Sequence, residues 1–542
     1  MGDLCILHGY LLDGSGSNLW TRSIIQALCR GGESVHLVCQ ERHPELYDFI
    51  AQSHVYGPDG QVRTVLDREV AYAGRCIMHR PQLGDTLPVY VWDRYDGFDN
   101  VVPMVALPDD VIDDYLERNV RTVMRVVGEN EIAAIHANHA VLMSVVAERT
   151  SRATSVPYAV MPHGSAIEYA VKKDARFFEY ASGALQSAKR IFVIGKEIRQ
   201  RVKNIFPDFA DLEDKMMELN LGVDTSLFEP VPRSGRAARI ASLGRALSGL
   251  ARGKTAARSD DFRATLRGDM RREELLTAIT SAGGYALKAP DADAEAKLAA
   301  VDWSTESTLI FIGRLIVSKG LQSVIAALPL ILDRHPDTRL LVVGHGPLRE
   351  AAEALVWALQ HGERELVANI VGWGRELQGE AYGQLTELRL FYDALARAGR
   401  LDDYFAKAKA RVRPDSVIFT GYLTHRELRY VLPCCDVAIF PSTVAEAGPL
   451  VFLEAIASGC FPLGTYFAGM GASIDAVGES LPADDVERMK LSADPKDTVA
   501  DIAINVPRAL ALGTKHQTAL RRIAVERYDW QDIAAKLAAG LR

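Results

Sequence analysis

The chain has 542 residues, 48% of them hydrophobic and 24% charged, and its 62 Lys and Arg against 70 Asp and Glu leave a net charge of −8. That much apolar sequence supports a globular protein of roughly two to four domains. The acidic balance excludes a nucleic-acid binder that depends on a pervasive basic surface.

The longest apolar runs, such as Leu328 to Leu332 and Val437 to Phe440, fall far short of the ~20 residues that span a bilayer. Met1 to Gly9 runs straight into a strand, without the cationic flank and small-residue cleavage site of a signal peptide. The seven cysteines, Cys5, Cys29, Cys39, Cys76, Cys434, Cys435 and Cys460, show no Cys-x-x-Cys spacing. Buried reduced thiols and a cytoplasmic location are the expectation.

The first half alternates strands and helices. Cys5 to Leu7 reads as a strand, Leu12 to Ser17 as a Gly-rich loop, Leu19 to Leu28 as an amphipathic helix and Val35 to Cys39 as the next strand. That order predicts a right-handed βαβ unit in a parallel sheet. The loop Gly14-Ser15-Gly16-Ser17-Asn18 lacks the full dinucleotide fingerprint, so no nicotinamide site is expected. Ile132 to Ile135 reads as a strand followed by His136-x-x-His139; without a third ligand nearby, no metal site is expected there. Tyr158 to Met161 and Ile191 to Ile194 are further strands. Pro162-His163-Gly164-Ser165 follows the first of these, and a His at a strand end beside Gly points to a cleft, because ligands bind outside the carboxyl ends of strands in open α/β sheets. Lys172, Lys173 and Glu168 lie in the following helix, where exposed charges are ordinarily solvated.

Arg233 to about Ala300 opens with Arg233, Arg236, Arg239, Arg245, Arg252, Lys254 and Arg258 without an acidic residue. A solvated basic linker is the favoured reading, over a small helical lobe or a mobile arm for an anionic membrane surface. Beyond it a buried strand, Leu309 to Gly313, delivers Arg314 at its carboxyl end, and Lys319 stands just before the helix Leu321 to Leu332. Two fixed cations at one strand end suit a diphosphate. Glu350 to Asp415, with Trp357, Trp373 and Tyr382, reads as a packed helical insertion. Then the strand Val437 to Phe440 runs into a polar loop bearing Glu446, and Pro449 opens a helix that ends at Gly459. Glu454 falls in its second turn. Amides at Gly448, Leu450 and Val451 form a phosphate seat at the helix start, with two carboxylates beside it to hold sugar hydroxyls. Taken alone, either glutamate is an ordinary surface residue; the upstream cations tip the reading toward a nucleotide-sugar.

Gly313-Arg314-Leu-x3-Lys319-Gly320, Val343-Gly344-His-Gly346-Pro347, Phe419-Thr-Gly421-Tyr-Leu, the stretch Pro441-Ser to Glu454-Ala and Gly459, and the upstream Leu219-Asn-Leu-Gly222-Val-Asp224 occur in an order that resembles family 4 of the retaining glycosyltransferases. The resemblance covers the chain apart from its two insertions. It implies the α/β GT-B fold, two facing Rossmann-like domains with a cleft between them. The domains would be 1–230, joined by a crossing-back helix at about 527–542, and 301–526, with an insertion or linker at 231–300 and a helical insertion at about 350–415. It implies a hexosyltransferase that uses a nucleoside diphosphate sugar, with uridine preferred on family frequency, and a hydroxyl acceptor; the lack of a hydrophobic amphipathic helix at the N-terminal side of the cleft favours a small, soluble one. By resemblance His163 contacts the donor sugar, and Gly14 and Gly16 approach the donor diphosphate and acceptor. Arg314 and Lys319 take the leaving diphosphate. Glu446 holds sugar hydroxyls and Glu454 the ribose, while Gly313, Gly448, Pro449, Leu450 and Val451 line the donor. No Asp-x-Asp signature stands in a suitable place, so no metal cofactor is expected. A nucleotide-sugar epimerase or hydrolase on the same fold, or a catalytically silent nucleotide-sugar sensor, remains open at this level.

Overall fold

The computed structural model describes residues 2–542 other than 15, 85, 91–94, 96–97, 284–287, 381–382, 447 and 449. The chain divides into two compact units, Met1–Gly222 with Arg527–Arg542, and Val223–Glu526.

Unit 1 is built on β1 (Asp3–Leu7), β2 (Val35–Val38), β3 (Ile50–Tyr56), β4 (Val62–Asp67), β5 (Cys76–Pro81), β6 (Thr86–Val89), β7 (Asn100–Pro103), β8 (Ile132–Asn138), β9 (Tyr158–Met161), β10 (Arg190–Val193) and β11 (Met216–Glu218). The main sheet has the order β11-β10-β9-β8-β1-β2-β5-β3-β4, and β6 pairs with β7 apart from it. All pairings in the main sheet are parallel except β3 with β4. A parallel sheet covered by helices on both faces buries its strands completely, which is why they read as short continuous apolar runs. The helix Trp530–Leu541 belongs to this unit although it closes the chain. Asp529 caps its N-terminus by accepting from the Gln531 amide. Gln531 donates to the Ala27 carbonyl at 3.1 Å in the helix Gly16–Arg30. A Cβ on Gly222 would stand 2.3 Å from the Trp530 ring, so this glycine is what lets the indole seat against the chain.

Unit 2 holds β12 (Ser307–Ile312), β13 (Thr338–Val343), β14 (Val417–Gly421), β15 (Val437–Phe440), β16 (Phe461–Thr465) and β17 (Lys490–Leu491) in the order β14-β13-β12-β15-β16-β17. Every pairing is parallel. The chain winds outward from β12 through β13 to β14, then returns to lay β15 on the other side of β12. The strand order therefore reverses between β12 and β15, and in open α/β sheets the ligand crevice forms outside the carboxyl ends at such a point. Unit 1 reverses in the same way between β1 and β8.

Residues 231–300 are not a solvated linker or a mobile basic arm. They form the helices Arg233–Leu247, Ala256–Thr265, Arg272–Ala282 and Ala294–Ala299 within unit 2. Arg236 is 1% exposed and donates to Asp436 Oδ1 at 2.9 Å, while Asp436 Oδ2 accepts from the Thr308 amide at 2.9 Å. Lys254 is equally buried, 3.3 Å from Glu350 and 3.1 Å from Glu353. The basic run contains no acid of its own because its acids come from distant parts of the chain. The second insertion contributes the helices Arg349–His361, Arg364–Trp373, Thr386–Arg397 and Leu401–Arg411. Tyr404 fastens it to the sheet's helical cover by donating to the Ala326 carbonyl at 2.7 Å. Trp357 and Trp373 are half-buried; Tyr382 lies outside the described residues.

Candidate functional site

In unit 2 the switch point brings together the loops that leave β12 and β15. After β12 the chain runs through Gly313 and Arg314 to a 3-10 turn, Val317–Lys319, before the helix Leu321–Arg334. After β15 it runs from Pro441 to Glu446. The two loops are joined by backbone: the Thr443 amide donates to the Ser318 carbonyl at 2.8 Å, and the Ser442 hydroxyl donates to the same oxygen at 3.1 Å. Gly320 permits this approach, since its φ is +78° and a Cβ there would lie 2.0 Å from the Pro441 carbonyl oxygen. The consequence is an ion pair between Lys319 Nζ and Glu446 Oε1 at 2.8 Å, with Lys319 31% and Glu446 18% exposed. The Glu446 carbonyl also accepts from the Gly469 amide at 2.8 Å, so the loop is held on its other side too.

Gly313 lies at the end of β12, its amide donating to the Val343 carbonyl at 3.1 Å. A Cβ on Gly344 would come within 1.9 Å of the Gly313 carbonyl oxygen, which explains why two glycines meet where the β12 and β13 loops cross. Arg314 is exposed on the same loop as Lys319. Leu450 and Val451 open the helix Leu450–Ala457, whose first amides have no intrahelical acceptor. Gly448 precedes it with φ +152°; Pro449 lies outside the described residues. Glu454 is 4% exposed, in the second turn of that helix. Its Oε1 is 2.9 Å from His425 Nε2, and its Oε2 is buried without a hydrogen-bond partner. The two glutamates thus have different partners: Glu446 meets a lysine, Glu454 a histidine.

Sequence reasoning did not find His425. Its position was readable, because Thr424 and Glu427 form a capping box that starts the helix His425–Val431 four residues beyond the end of β14. Only the order of strands, however, places that helix beside Glu454.

In unit 1 the equivalent strand ends carry imidazoles. His163 follows β9, 8% exposed, with Nε2 3.2 Å from Asn138 Oδ1. His139 follows β8 at φ +72° and its ring centroid is 4.7 Å from that of His163. His136 is not beyond β8 but inside it, packed between Trp20 and Phe192 at centroid distances of 5.6 and 5.7 Å. His8 follows β1 and was missed, although Leu7-His8-Gly9 carries the same strand-end His-Gly signal as His163-Gly164. It lies 3.1 Å from Asn18 Oδ1 and 3.2 Å from the Thr21 hydroxyl. Burial pushes the His163 imidazole down to about 3, with His8 and His136 adding to the effect, and holds His8 and His136 at about 4. His139 is driven well below the usual range by burial, then by His163 and His8. These rings are neutral near pH 7. Gly14, φ +107°, and Gly16, which opens the helix Gly16–Arg30, are both exposed in the loop beside them. Among the described residues no group of three or more His, Cys, Asp or Glu is gathered for a metal ion, and no helix is long and apolar enough to cross a membrane.

Residues 398–478 match the family model described as glycosyl transferases group 1. No curated protein matches the chain. Among the solved structures that resemble the chain are three that align over nearly their whole lengths. Sucrose-phosphate synthase from Thermosynechococcus elongatus has a TM-score of 0.52 at 14% identity, covering 99% of this chain and 98% of that one. Anabaena HepE, in complex with UDP and glucose, has a TM-score of 0.52 at 13% identity, covering 100% and 99%. A glycosyltransferase from Rickettsia africae has a TM-score of 0.52 at 12% identity, covering 99% and 97%. The fold is GT-B, mixed α/β with a parallel sheet in each of two domains.

Proposed function

We propose that this protein is a retaining hexosyltransferase that moves a sugar from a nucleoside diphosphate, with uridine as the base, to a hydroxyl on a small soluble acceptor. The observation that carries this reading is the partly exposed Lys319–Glu446 pair at the switch point of unit 2, beside the opening turn of the helix Leu450–Ala457. In the structure the two charges pair with each other. A bound donor separates their tasks: Lys319 turns to the diphosphate, Glu446 to the sugar hydroxyls. The buried Oε2 of Glu454, with Oε1 already committed to His425, has acceptor capacity for a ribose hydroxyl. HepE's complexes with UDP and glucose and with UDP-glucose support the choice of donor.

In the reaction the acceptor oxygen bonds to the anomeric carbon as the carbon–oxygen bond to the diphosphate breaks, its electron pair leaving with the phosphate oxygen. The acceptor's proton passes to that departing oxygen. Attack from the face on which the phosphate leaves accounts for retention without a protein nucleophile. Negative charge grows on the diphosphate, and Arg314, Lys319 and the amides of Gly448, Leu450 and Val451 stabilise it; preorganised charge of this kind is commonly the largest single term in catalysis. The reading includes no resident metal. His163, neutral in its buried setting, serves as a hydrogen-bonding contact to the donor sugar, with Gly14 and Gly16 leaving room for the acceptor, and the activity is assigned to the cytoplasm.

The test is incubation of purified protein with UDP- and GDP-sugars, alone and with cell extract. Acceptor-dependent release of nucleoside diphosphate is expected. Acceptor-independent conversion means an epimerase or hydrolase, and binding without turnover means a sensor; either result overturns the proposal.

A further inference from the structure

The unit 2 sheet ends at β14, which pairs with β13 on one side and is last in the strand order. The first insertion meets the carboxyl end of this edge, where Pro290 bridges Gly421 and the Asp291 amide donates to the Thr420 carbonyl at 2.8 Å. Alongside the rest of the strand lies a cavity of about 560 Å³ that both insertions line. That size falls within the ~300–1,000 Å³ of small-molecule sites. β14 contributes Val417, Ile418 and Phe419. The helices Ala256–Thr265 and Ala294–Ala299 of the first insertion bring Arg263 and Lys297, and the helix Arg349–His361 of the second brings Val356, Trp357 and Gln360. Arg339, near the start of β13, also lines the cavity, which therefore reaches toward the amino ends of the strands. The donor crevice is at the opposite, carboxyl ends of β12 and β15.

Each cation in the lining meets a carboxylate in the same lining. Arg263 pairs with Asp260 at 2.7 Å, Lys297 with Asp293 at 2.8 Å, Arg339 with Asp415 at 2.6 Å and Arg349 with Glu353 at 2.5 Å. The wall is therefore charged but balanced. It keeps hydrogen-bonding capacity all the same. Arg263, exposed, reaches Asp260 through Nη2, one of the nitrogens of a guanidinium with five N–H donors. Asp260 and Asp415 are exposed acceptors, and the half-buried Gln360 amide both donates and accepts. The remaining surface is apolar: Val301, Val356, Val417, Ile418 and Phe419 are all buried. Trp357 is half-buried and held in place by His361, whose ring stacks on it at 4.2 Å and whose Nδ1 donates to the Trp357 carbonyl at 2.8 Å. The aromatic part of the wall is thus preformed.

We propose that this cavity is a second ligand site, separate from the donor crevice, and that it takes a neutral saccharide. A charged ligand would have to part an existing ion pair to find its counterion, stranding the charge it displaced. A wholly apolar ligand would cover the polar groups of the rim without replacing their bonds to water. A sugar ring avoids both costs. Its C–H faces lie against aromatic and aliphatic side chains, and each hydroxyl at its edge is at once donor and acceptor. One hydroxyl can therefore accept from Arg263 while donating to Asp260, leaving the pair balanced. The site stands independently of the transferase reading, because none of its residues belongs to the donor crevice.

An array of neutral, sialylated and sulfated oligosaccharides, probed with the purified protein under saturating UDP, tests the site, with calorimetry on each glycan retained. Neutral glycans should bind in preference to acidic ones. Trp357→Ala should weaken them by about 10-fold or more, the order for truncating an aromatic anchor. Gln360→Leu should weaken them by about 5-fold, the order for one hydrogen bond. UDP affinity should be the same in wild type and both variants. If Trp357→Ala does not fold, the half-buried Gln360→Leu carries the test. No neutral glycan bound, a preference for acidic glycans, or unchanged glycan affinity in the folded variants overturns the site and leaves the proposed function standing. Glycan binding that Trp357 controls, in a protein that binds no nucleotide, upholds the site and overturns the function.

Discussion

Both units reverse strand order at one point, yet they dress that point with opposite chemistry. Unit 1 places neutral, buried imidazoles after β1, β8 and β9. Unit 2 places a partly exposed ion pair and a helix N-terminus after β12 and β15. The difference teaches how burial divides labour on one fold. Charge kept near solvent can exchange partners when a ligand arrives, whereas groups sealed in the interior must remain neutral or fully paired. Arg236 and Asp436 mark the second case inside unit 2: both side chains are 1% exposed, and Asp436 Oδ1 accepts from Arg236 and from Arg233.

The strongest attack on that comparison is therefore Arg236→Ala. Removing Arg236 takes away the buried partner of Asp436 and leaves it only the partly exposed Arg233, 3.2 Å away, and Thr308; the loss should be up to about 3–5 kcal/mol of stability, read as a fall in denaturant midpoint. A loss below about 1 kcal/mol would show that Asp436 is satisfied without the arginine. Replacing the insertion by a short bridge should for the same reason yield misfolded protein, not a trimmed enzyme.

Lys319→Ala is the matching experiment on exposed charge. Turnover should drop by about 10²-fold or more, as for loss of one charge-stabilising donor, while the melting temperature stays at the wild-type value. Near-normal turnover would remove Lys319 from the leaving-group role. A smaller effect separates the two carboxylates. Glu454→Ala should weaken free nucleotide by about 1–3 kcal/mol, the range for losing a buried hydrogen-bond acceptor. Glu446→Ala should leave free nucleotide affinity unchanged and impair use of the intact donor. Equal loss of nucleotide affinity in both contradicts the division seen between their partners.

Unit 1 is tested by pH. Its buried histidines have folded-state values below the ordinary one of about 6.5, at about 4 for His8 and His136. Above pH 6.5 they are neutral whether folded or not and cost nothing. As pH falls from 6.5 toward 4 the unfolded chain binds protons that the folded chain refuses, so each such histidine removes about 1.4 kcal/mol of stability per pH unit. His8→Gln should flatten that slope between pH 6 and 4.5 by up to this amount. An identical slope in the variant would mean that His8 is already charged in the folded protein. The smallest expected effect is that of chelation: saturating EDTA should leave turnover within about twofold, because in this reading protein charges stabilise the leaving group. Loss of activity restored by a divalent cation would add a metal to the mechanism.

Much of this was legible in the residues. Tyr158–Met161 and Val437–Phe440 are strands with the bounds their apolar runs predict, and the helix over Glu454 lies between the Pro and Gly that punctuate it, spanning Leu450–Ala457. Such elements are local: an apolar run of four to six residues must be buried, and Gly or Pro constrains its own backbone. The site's partners are not local. Lys319 meets Glu446 across 127 residues, Arg236 meets Asp436 across 200, and Lys254 meets Glu350 across 96. The sequence by itself determined seven of the strands, β12 and β15 among them, and that cations and carboxylates occupy the loops after those two. The tertiary structure alone decided that β15 lies beside β12, that His425 reaches Glu454, and that Arg236 and Lys254 within the basic run are interior. Backbone propensity acts over a few residues of chain, whereas the pairing of charges is set by distance in space, which only the order of the strands fixes.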